Sequence, residues 1–195
     1  MVYFGDDDTY LYALDVESGQ QLWRFDTGGR INCTPAISAG VVCFSSGDGS
    51  LYALDASSGE QLWSFQPYSE TAYRPAQFDK GGLSPAILGE LVFVRSDFRL
   101  HALDIETGKE VWKFMTSTSN VPSVGRCSSP VIAGTTVYVA SDGAGDRGGY
   151  LYALDGQTGD KIWEFETSGA IVSSPTIWNG VIYFGTADGY LYAVK

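Results

Sequence analysis

One short pattern recurs through this 195-residue chain and constrains the fold more than any other feature. Leu11-Tyr-Ala-Leu-Asp15 returns three times with little change, and a related copy, Leu191-Tyr-Ala-Val-Lys195, ends the sequence. Each of the first four copies is followed by Ser-Gly or Thr-Gly and then by a tryptophan. A second pattern, Thr-Pro or Ser-Pro before a short apolar run, alternates with the first. Self-similarity at a spacing of about 40 to 50 residues predicts a repeat architecture.

Each repeat is predicted to form a sheet of four antiparallel strands, lettered A to D. Strand A starts at the proline, B is the next apolar run, C holds Leu-Tyr-Ala-Leu, and D holds the tryptophan. Residues alternate with period two, and turn residues separate the runs. We therefore expect an all-β β-propeller of about five blades, three complete and two terminal and partial. The expected organisation is one domain, 1–195, with repeat units at about 2–34, 35–84, 85–129, 130–174 and 175–195.

The turn between strands C and D is predicted to be the structural joint of each repeat. Its aspartate accepts backbone N–H bonds from the turn, and a glycine four residues later supplies a positive φ. A small alanine in strand C beside a large tryptophan in strand D suits the docking of neighbouring sheets. The predicted docking residues are Trp23, Trp63, Trp112, Trp163, Asp15, Asp55, Asp104, Asp155, Gly19, Gly59, Gly108 and Gly159.

The pattern Ala-x-Asp-x-x-Thr/Ser-Gly-x-x-x-Trp resembles the tryptophan-docking motif of the quinoprotein-like (PQQ-repeat) β-propeller family. It runs from Ala13 to Trp23 in the first repeat and recurs up to Trp163, so the resemblance covers essentially the whole chain. WD-repeat propellers do not fit, because the chain has one histidine and no Trp-Asp pair. The family includes PQQ-dependent dehydrogenases and BamB-like adaptors. The resemblance implies work outside the cytoplasm, in the periplasm or at the cell surface.

Differences in loop length indicate where a partner would bind. Every copy has eight residues from the turn aspartate to the tryptophan, whereas 12 to 22 residues separate that tryptophan from the next strand A proline. In an antiparallel sheet the variable B–C and D–A loops share one edge, so the segments 64–83, 115–127 and 141–149 form the predicted interaction face. The predicted partner contacts are Tyr68, Tyr73, Arg74, Phe78, Arg95, Phe98 and Arg99. The alternative is that these aromatic side chains only fold their own loop onto the propeller.

Charge and chain organisation narrow the class of partner. A net charge of −11 opposes binding to a phosphate backbone, so we expect a protein or peptide partner and no nucleic acid. No apolar run approaches the length of a membrane span, and no signal peptide is evident at residues 1–5.

Both terminal repeats are predicted to lack a strand. This leaves three possibilities: a five-bladed ring, an arc completed by a second chain such as a homo-oligomer, or part of a longer propeller.

Cofactor chemistry is not favoured by the residues present. The resemblance implies that a PQQ enzyme places a vicinal cysteine pair over the quinone and a tryptophan beneath it. The three cysteines of this chain are scattered, and we interpret them as small buried residues: Cys33, Cys43 and Cys127. Trp178 falls in an A–B turn. We therefore predict no PQQ and no calcium, and we interpret Asp6–Asp8 and the acids of 142–146 as turn residues.

Catalysis without a cofactor is not favoured either. His101, the single histidine, stands where the other repeats have tyrosine, and we interpret it as a strand substitution rather than a general base. The sequence thus predicts a non-catalytic protein- or peptide-binding scaffold that uses the B–C/D–A face. The alternatives are a fragment of a PQQ-dependent dehydrogenase, or a structural or sensor module of a larger protein.

Overall fold

The computed structural model describes residues 1–67, 83–96, 99–116, 128–141 and 148–195. Within these ranges the regular elements are strands grouped in five sheets, of which the first and fifth have three strands and the others four. Sequence neighbours pair antiparallel in the first, second, fourth and fifth sheets. The predicted all-β organisation with three complete and two partial repeats is confirmed. The described ranges hold no helix capable of crossing a bilayer.

The strands follow the predicted A to D order in each repeat. The first sheet holds strands B to D: β1 (Val2–Gly5), β2 (Tyr10–Leu14) and β3 (Gln21–Asp26). The second holds β4 (Ala36–Ser38), β5 (Val41–Ser45), β6 (Leu51–Asp55) and β7 (Gln61–Phe65). The third holds β8 (Ala86–Leu88), β9 (Leu91–Ser96), β10 (Arg99–Asp104) and β11 (Glu110–Met115). The fourth holds β12 (Val131–Ala133), β13 (Thr136–Ser141), β14 (Tyr150–Asp155) and β15 (Lys161–Glu166). The fifth holds strands A to C: β16 (Thr176–Trp178), β17 (Val181–Gly185) and β18 (Leu191–Val194).

Two compact units divide the chain. One comprises residues 1–92 with 103–109, and the other comprises 93–102 with 110–195. In the first unit, Leu11 of the first sheet is buried in one cluster with Val42 and Phe44 of the second. The second unit repeats this arrangement, because Leu151 of the fourth sheet clusters with Phe184 of the fifth. Each cluster is therefore an apolar layer between consecutive sheets, which is where most of the hydrophobic stabilisation arises.

The register between strands C and D explains the alanine in the repeat. Ala13 lies opposite Trp23, Ala53 opposite Trp63 and Ala153 opposite Trp163, with a register shift directly after each alanine. The alanines are fully buried. A larger side chain at this position would occupy the space beside the indole, since residues directly opposite each other approach to about 5 Å.

The C–D turn has a common set of backbone hydrogen bonds in all four copies. Asp55 accepts from the backbone and hydroxyl groups of Ser57 and Ser58, and the backbone N–H of Gly59 donates to the Asp55 carbonyl at 2.9 Å. Gly59 has φ +75°, a conformation that a side chain disfavours. Asp15, Asp104 and Asp155 each accept the corresponding backbone N–H bond from the residue three positions later. These bonds explain why the turn tolerates no change in length.

The Thr-Pro and Ser-Pro pairs have a structural role that the sequence did not reveal. The backbone N–H of Thr34 donates to Ser84 Oγ at 2.9 Å, and Ser129 N–H donates to Ser174 Oγ at 3.0 Å. The hydroxyl group of the residue before the proline of one repeat therefore accepts a hydrogen bond at the start of strand A in the preceding repeat. The second and third repeats thus have this connection besides Trp63, and the fourth and fifth repeats have the same connection.

Candidate interaction surface

Three tryptophans dock on the C–D turn of the next repeat. The indole Nε1 of Trp23 donates to the Ala56 carbonyl at 3.1 Å, and Trp63 donates to Ile105 at 2.8 Å. Trp112 donates to the Gly156 carbonyl at 3.2 Å. Each acceptor is the residue directly after the turn aspartate, so the same bond is made three times. A buried indole N–H needs such a partner, and this one joins two repeats.

The turn glycine lies directly beneath the docked indole. A Cβ added to Gly59 would lie 2.7 Å from the ring of Trp23, and one added to Gly108 would lie 2.6 Å from that of Trp63. Gly159 meets Trp112 in the same way. Gly19 has the same positive φ, yet a Cβ there would meet no atom within 4 Å. In three turns the glycine therefore adopts a positive φ and also leaves space for the indole. In the first turn it only adopts the positive φ.

Trp163 has different surroundings from the other three. It packs against Tyr138 with a ring distance of 5.8 Å and joins the apolar cluster of the second unit. Within the described residues its Nε1 makes no hydrogen bond of the kind seen for Trp23, Trp63 and Trp112. Of the four predicted docking tryptophans, three thus lie on a neighbouring turn, and Trp163 packs only along its own sheet and the next.

The two edges of the sheets differ in how their loops are built. The A–B and C–D edge carries tight turns, including Ala39 and Asn179, each with φ +49° and each followed by a glycine of positive φ. This pattern is the one favoured for two-residue hairpins. The opposite edge carries all of the variable-length loops. Most of the predicted partner contacts on that edge, Tyr68, Tyr73, Arg74, Phe78 and Phe98, lie outside the described residues.

The position of Arg95 differs from the predicted surface patch. We expected it to extend the exposed patch beside the B–C loop, but its side chain is only 1% exposed. One Nη donates to the Ala140 carbonyl, and the other donates to Thr116 Oγ1 at 3.4 Å. The guanidinium therefore joins β9 to the fourth sheet as a buried structural group. Arg99 is the predicted contact that the described residues do expose.

The described short loops of this edge are held by their own polar groups. Thr27 Oγ1 contacts the Thr9 and Gly29 carbonyls and Ser46 Oγ, and Thr167 Oγ1 contacts the Gly149 and Gly169 carbonyls. The B–C turns are closed in the same manner, since the Asp48 carboxylate accepts from Ser50 N–H and the Tyr52 hydroxyl. These short loops are pre-ordered and present fixed polar groups at this edge.

A buried polar chain crosses the third sheet. Ser96 Oγ lies 2.8 Å from His101 Nε2, and His101 Nδ1 lies 2.6 Å from Glu110 Oε2. Lys113 Nζ completes the chain at 2.9 Å from the other Glu110 oxygen. The sequence had indicated only a tolerated substitution at His101, without these partners. Glu110 and Ser96 were missed because they meet His101 only across neighbouring strands.

The geometry of this chain resembles that of a nucleophile, a base and an orienting acid, but its burial does not suit catalysis. Ser96 and His101 are each only 3% exposed. Burial lowers the pKa of His101 despite the opposing effect of Glu110, so the imidazole is neutral at pH 7. The pKa of Glu110 is lowered because its bonds to Lys113 and His101 outweigh the effect of burial. We therefore interpret the chain as a polar link that satisfies a buried histidine.

The described residues do not fit a quinone site. Cys33 Sγ donates to the Ser45 carbonyl, and Cys43 lies opposite Ala36 and Ala53 within the second sheet. Both thiols are buried, as expected, and burial raises their pKa values to about 11 and about 12. Trp178 is 69% exposed at an A–B turn. Neither the thiols nor this indole could enclose a planar cofactor in these positions.

Successive antiparallel sheets, joined in three cases by an indole that rests on the turn glycine of the next repeat, define a β-propeller of PQQ-type repeats. The chain belongs to the family described as outer membrane protein assembly factor BamB, whose model matches residues 1–123 and 96–195. The predicted family resemblance is thereby confirmed, and it covers both compact units.

Solved structures show the same fold at low sequence identity. BamB from Moraxella catarrhalis matches with a TM-score of 0.76 and 22% identity, over 98% of this chain and 56% of that one. The quinohemoprotein alcohol dehydrogenase ADHIIG from Pseudomonas putida HK5 matches with a TM-score of 0.72 and 18% identity, over 98% of this chain and 38% of that one. The chain thus spans a little more than half the length of that BamB and less than half the length of that dehydrogenase.

A curated relative matches over a shorter stretch. The quinoprotein ethanol dehydrogenase of Pseudomonas putida is 43% identical over 54 residues, which is 27% of this chain and 8% of the enzyme. That stretch is about the length of one repeat. It supports a shared repeat type, while the activity belongs to a protein many times longer than the matched region.

Proposed function

We propose that this chain is a non-catalytic scaffold that recruits a protein or peptide through its B–C/D–A edge. The observation that carries the proposal is the contrast between the two edges of the sheets. The C–D edge repeats one hydrogen-bonded turn without change in length, whereas the opposite edge takes up all insertions. In repeat proteins, insertions collect on the face that binds.

The chemistry of the loop segments supports the same edge. Residues 66–80 include Tyr68, Tyr73, Arg74 and Phe78, residue types that dominate binding energy at protein interfaces. Arg99 is exposed on the same edge and adds a positive charge to a strongly acidic chain. A partner with aromatic-binding pockets and a few acidic groups would complement this surface. The proposed place of action is outside the cytoplasm, by analogy with the BamB family.

Affinity capture with matched variants tests this proposal. The bait would be the 195-residue chain, incubated with a bacterial cell-envelope extract, with bound proteins quantified by mass spectrometry. The test variant is Tyr73→Ala with Arg74→Ala, and the control is Val16→Ala with Glu17→Ala, which are exposed on the opposite edge. We expect the loop variant to lose a captured protein that the control retains, with both variants melting at the temperature of the unchanged chain.

Two results would contradict the scaffold proposal. A lowered melting temperature of the loop variant would indicate that Tyr73 and Arg74 fold the loop onto its own sheets. Equal loss of capture in both variants would indicate that binding is not located at the loop edge. A direct binding measurement between the purified captured protein and each variant would then separate a weakened contact from an unfolded bait.

The second candidate is a fragment of a PQQ-dependent dehydrogenase, which the local identity to the Pseudomonas ethanol dehydrogenase favours. Adding PQQ with calcium and following quinone absorbance and dye reduction discriminates the two functions. A stoichiometric complex with dye reduction would support the enzyme fragment. A third reading, a structural or sensor module of a larger protein, predicts neither capture nor cofactor binding.

A further inference from the structure

We propose that His101 is a pH-sensitive switch that sets whether the Ser96 hydroxyl donates its hydrogen into the third sheet or toward the B–C/D–A edge. Ser96 is the last residue of β9, and the B–C loop of the third repeat follows it directly. The switch would regulate the edge proposed above for partner recruitment, so its biological role rests on that proposed function. The hydrogen-bond reversal itself is a property of the unliganded chain.

The partners of His101 fix its tautomer at neutral pH. Nδ1 lies 2.6 Å from Glu110 Oε2, and an ionised carboxylate can only accept a hydrogen bond, so Nδ1 carries the hydrogen. A neutral imidazole has a single N–H group, so Nε2 is an acceptor. The Ser96 hydroxyl, 2.8 Å from Nε2, must therefore donate to it. This tautomer directs the serine hydrogen into the sheet and away from the loops.

Protonation of His101 reverses one of these two hydrogen bonds. An imidazolium donates from both ring nitrogens. Glu110 still accepts from Nδ1–H, but Ser96 must now accept from Nε2–H, and its own hydrogen has to turn to another acceptor. One added proton thus changes Ser96 from a donor into an acceptor at His101 and leaves the order of the groups in the chain unchanged.

The equivalent serine of the second repeat shows what a hydroxyl at this position does when no histidine engages it. Ser46 and Ser96 each lie eleven residues after the strand A proline of their repeat. Ser46 Oγ donates to the Gly29 carbonyl of a D–A loop at 3.3 Å and accepts from the Asp48 N–H of a B–C turn at 3.2 Å. A hydroxyl here therefore joins the two kinds of loop on this edge, and His101 diverts Ser96 from that role at neutral pH.

The other repeats have tyrosine at the position of His101. Tyr52 donates to Asp48, and Tyr152 donates to the Thr116 carbonyl at 3.1 Å. Burial raises the pKa of each of these tyrosines to about 12, so neither changes charge between about pH 4 and about pH 8. Among these equivalent positions, the histidine of the third repeat is the one that responds to acid in this range.

The charged groups around His101 allow it to titrate inside the fold. Burial lowers the pKa of His101, so the imidazole becomes charged only below its ordinary value of 6.5. On β11, Glu110 favours the charged form and Lys113 opposes it, while Arg99 of β10 also opposes it. From β9 the imidazole faces the uncharged Ser96. Because the carboxylate already contacts the ring, protonation forms an ion pair and leaves no unpaired charge in the interior.

NMR of the histidine ring tests the switch directly. His101 is the only histidine in the chain, so its ring signals need no assignment. In the 15N-labelled 195-residue chain, the ring nitrogen shifts between about pH 7.5 and about pH 4.5 report both the tautomer and the titration. We expect the Nδ1–H tautomer at the upper end and one midpoint below 6.5. The backbone amide signals of Ser96 and Arg99, which flank the B–C loop, should follow the same midpoint.

Three variants assign the roles of the partners. Glu110→Gln should lower the midpoint by about one pH unit, because the opposite charge beside the imidazolium is lost. Glu164→Gln is the matched control, since Glu164 also pairs with a lysine three residues away on a strand D, at 2.8 Å, and should leave the midpoint unchanged. Ser96→Ala should leave the imidazole titrating but remove the acid-dependent shift of the Arg99 amide.

Three results would overturn the proposal. The first is the Nε2–H tautomer at about pH 7.5, since Ser96 could not then donate to that nitrogen. The second is acid unfolding, followed by circular dichroism, before the imidazole titrates. The third is an Arg99 shift as large in Ser96→Ala as in the unchanged chain, because charge rather than the hydroxyl would then be its cause.

The regulatory role and the proposed function fail in different ways. Failure of the loop variant to lose a captured protein would contradict the scaffold proposal and leave the behaviour of His101 unchanged. A captured protein that binds equally well above and below the midpoint of the imidazole would contradict regulation by His101, although the scaffold proposal would stand. Binding measured on either side of that midpoint, with Ser96→Ala as the control, separates the two.

Discussion

Trp63 and Trp163 occupy the same place in their repeats but have different neighbours. Each lies opposite an alanine of strand C and contacts an apolar sheet. Trp63 also rests on Gly108 and donates a hydrogen bond to Ile105, while Trp163 makes no such bond within the described residues. The motif therefore supplies only the indole side of the contact between repeats. The C–D turn of the next repeat supplies the glycine and the carbonyl acceptor.

The largest expected effect comes from removing the docked indole. Trp63→Ala should lower the free energy of unfolding by about 3–5 kcal/mol, because it leaves a cavity and an unpaired carbonyl at Ile105. Trp163→Ala should cost about half as much, since only packing against one sheet face is lost. Urea unfolding followed by circular dichroism measures both values. Equal losses would contradict the distinction between the two tryptophans.

The second comparison concerns the glycines beneath the indoles. Gly108→Ala should cost about 2–4 kcal/mol, because the methyl group would meet the Trp63 ring in addition to the strain of a positive φ. Gly19→Ala should cost about 1 kcal/mol from backbone strain alone. The same urea titrations apply, with Gly19→Ala as the internal control for strain. A cost for Gly19→Ala as large as that for Gly108→Ala would indicate that a ring also covers the first turn.

The third comparison is between the aspartates of a docked and an undocked turn. Hydrogen bonds from Ser57 and Ser58 lower the pKa of Asp55 from 3.8 to about 2. Because the folded-state pKa is the lower one, Asp55 stabilises the fold above about pH 4, and this contribution is lost as the pH falls toward 2. Asp55→Asn should therefore lower the melting temperature at pH 7 and have a much smaller effect at pH 2.

Asp15 provides the matched position for this pH measurement. It accepts from Glu17 N–H and from the backbone and hydroxyl of Ser18, one bond fewer than Asp55. Asp15→Asn should show the same direction of pH dependence with a smaller shift. If both variants lose the same stability at every pH, the carboxylate charge is not the source of the effect.

The smallest expected effect concerns the buried chain at His101. Its pKa is lowered by burial, so its contribution to stability is present above its ordinary pKa of 6.5 and declines as the pH falls below that value. The double variant His101→Tyr with Glu110→Gln restores the residues of the first two repeats. It should remove this decline without affecting the acid step of Asp55. Melting temperatures measured between pH 7.5 and 5 test this expectation. A decline of the same size in the double variant would contradict it.

The number and order of the strands could be predicted from the sequence because its five repeat copies can be compared with one another. Five imperfect copies showed which positions alternate and which turns keep their length, so all eighteen strands were expected in the observed order. The buried chain at His101 was not predicted, since it depends on the register of three strands. A signal was present, however. His101 and Glu110 replace tyrosine and glutamine in the same repeat, and a paired exception of this kind indicates contact.

Arg95 shows the opposite kind of error. A charged residue near a variable loop was expected at the surface, because arginine is seldom buried. The equivalent positions hold Ser45, Ala140 and Gly185, which are small residues typical of a confined site. That comparison was available in the sequence and indicated an interior position.

The acceptor of each docked indole is a main-chain carbonyl, and the surface beneath the ring is a glycine. Neither feature depends on which side chain follows the turn aspartate, and alanine, isoleucine and glycine all occur there. The docking contact itself therefore tolerates different residues after the turn aspartate. Exchange of one repeat unit for another would preserve this docking contact, whereas the apolar layer between the two sheets would still have to match.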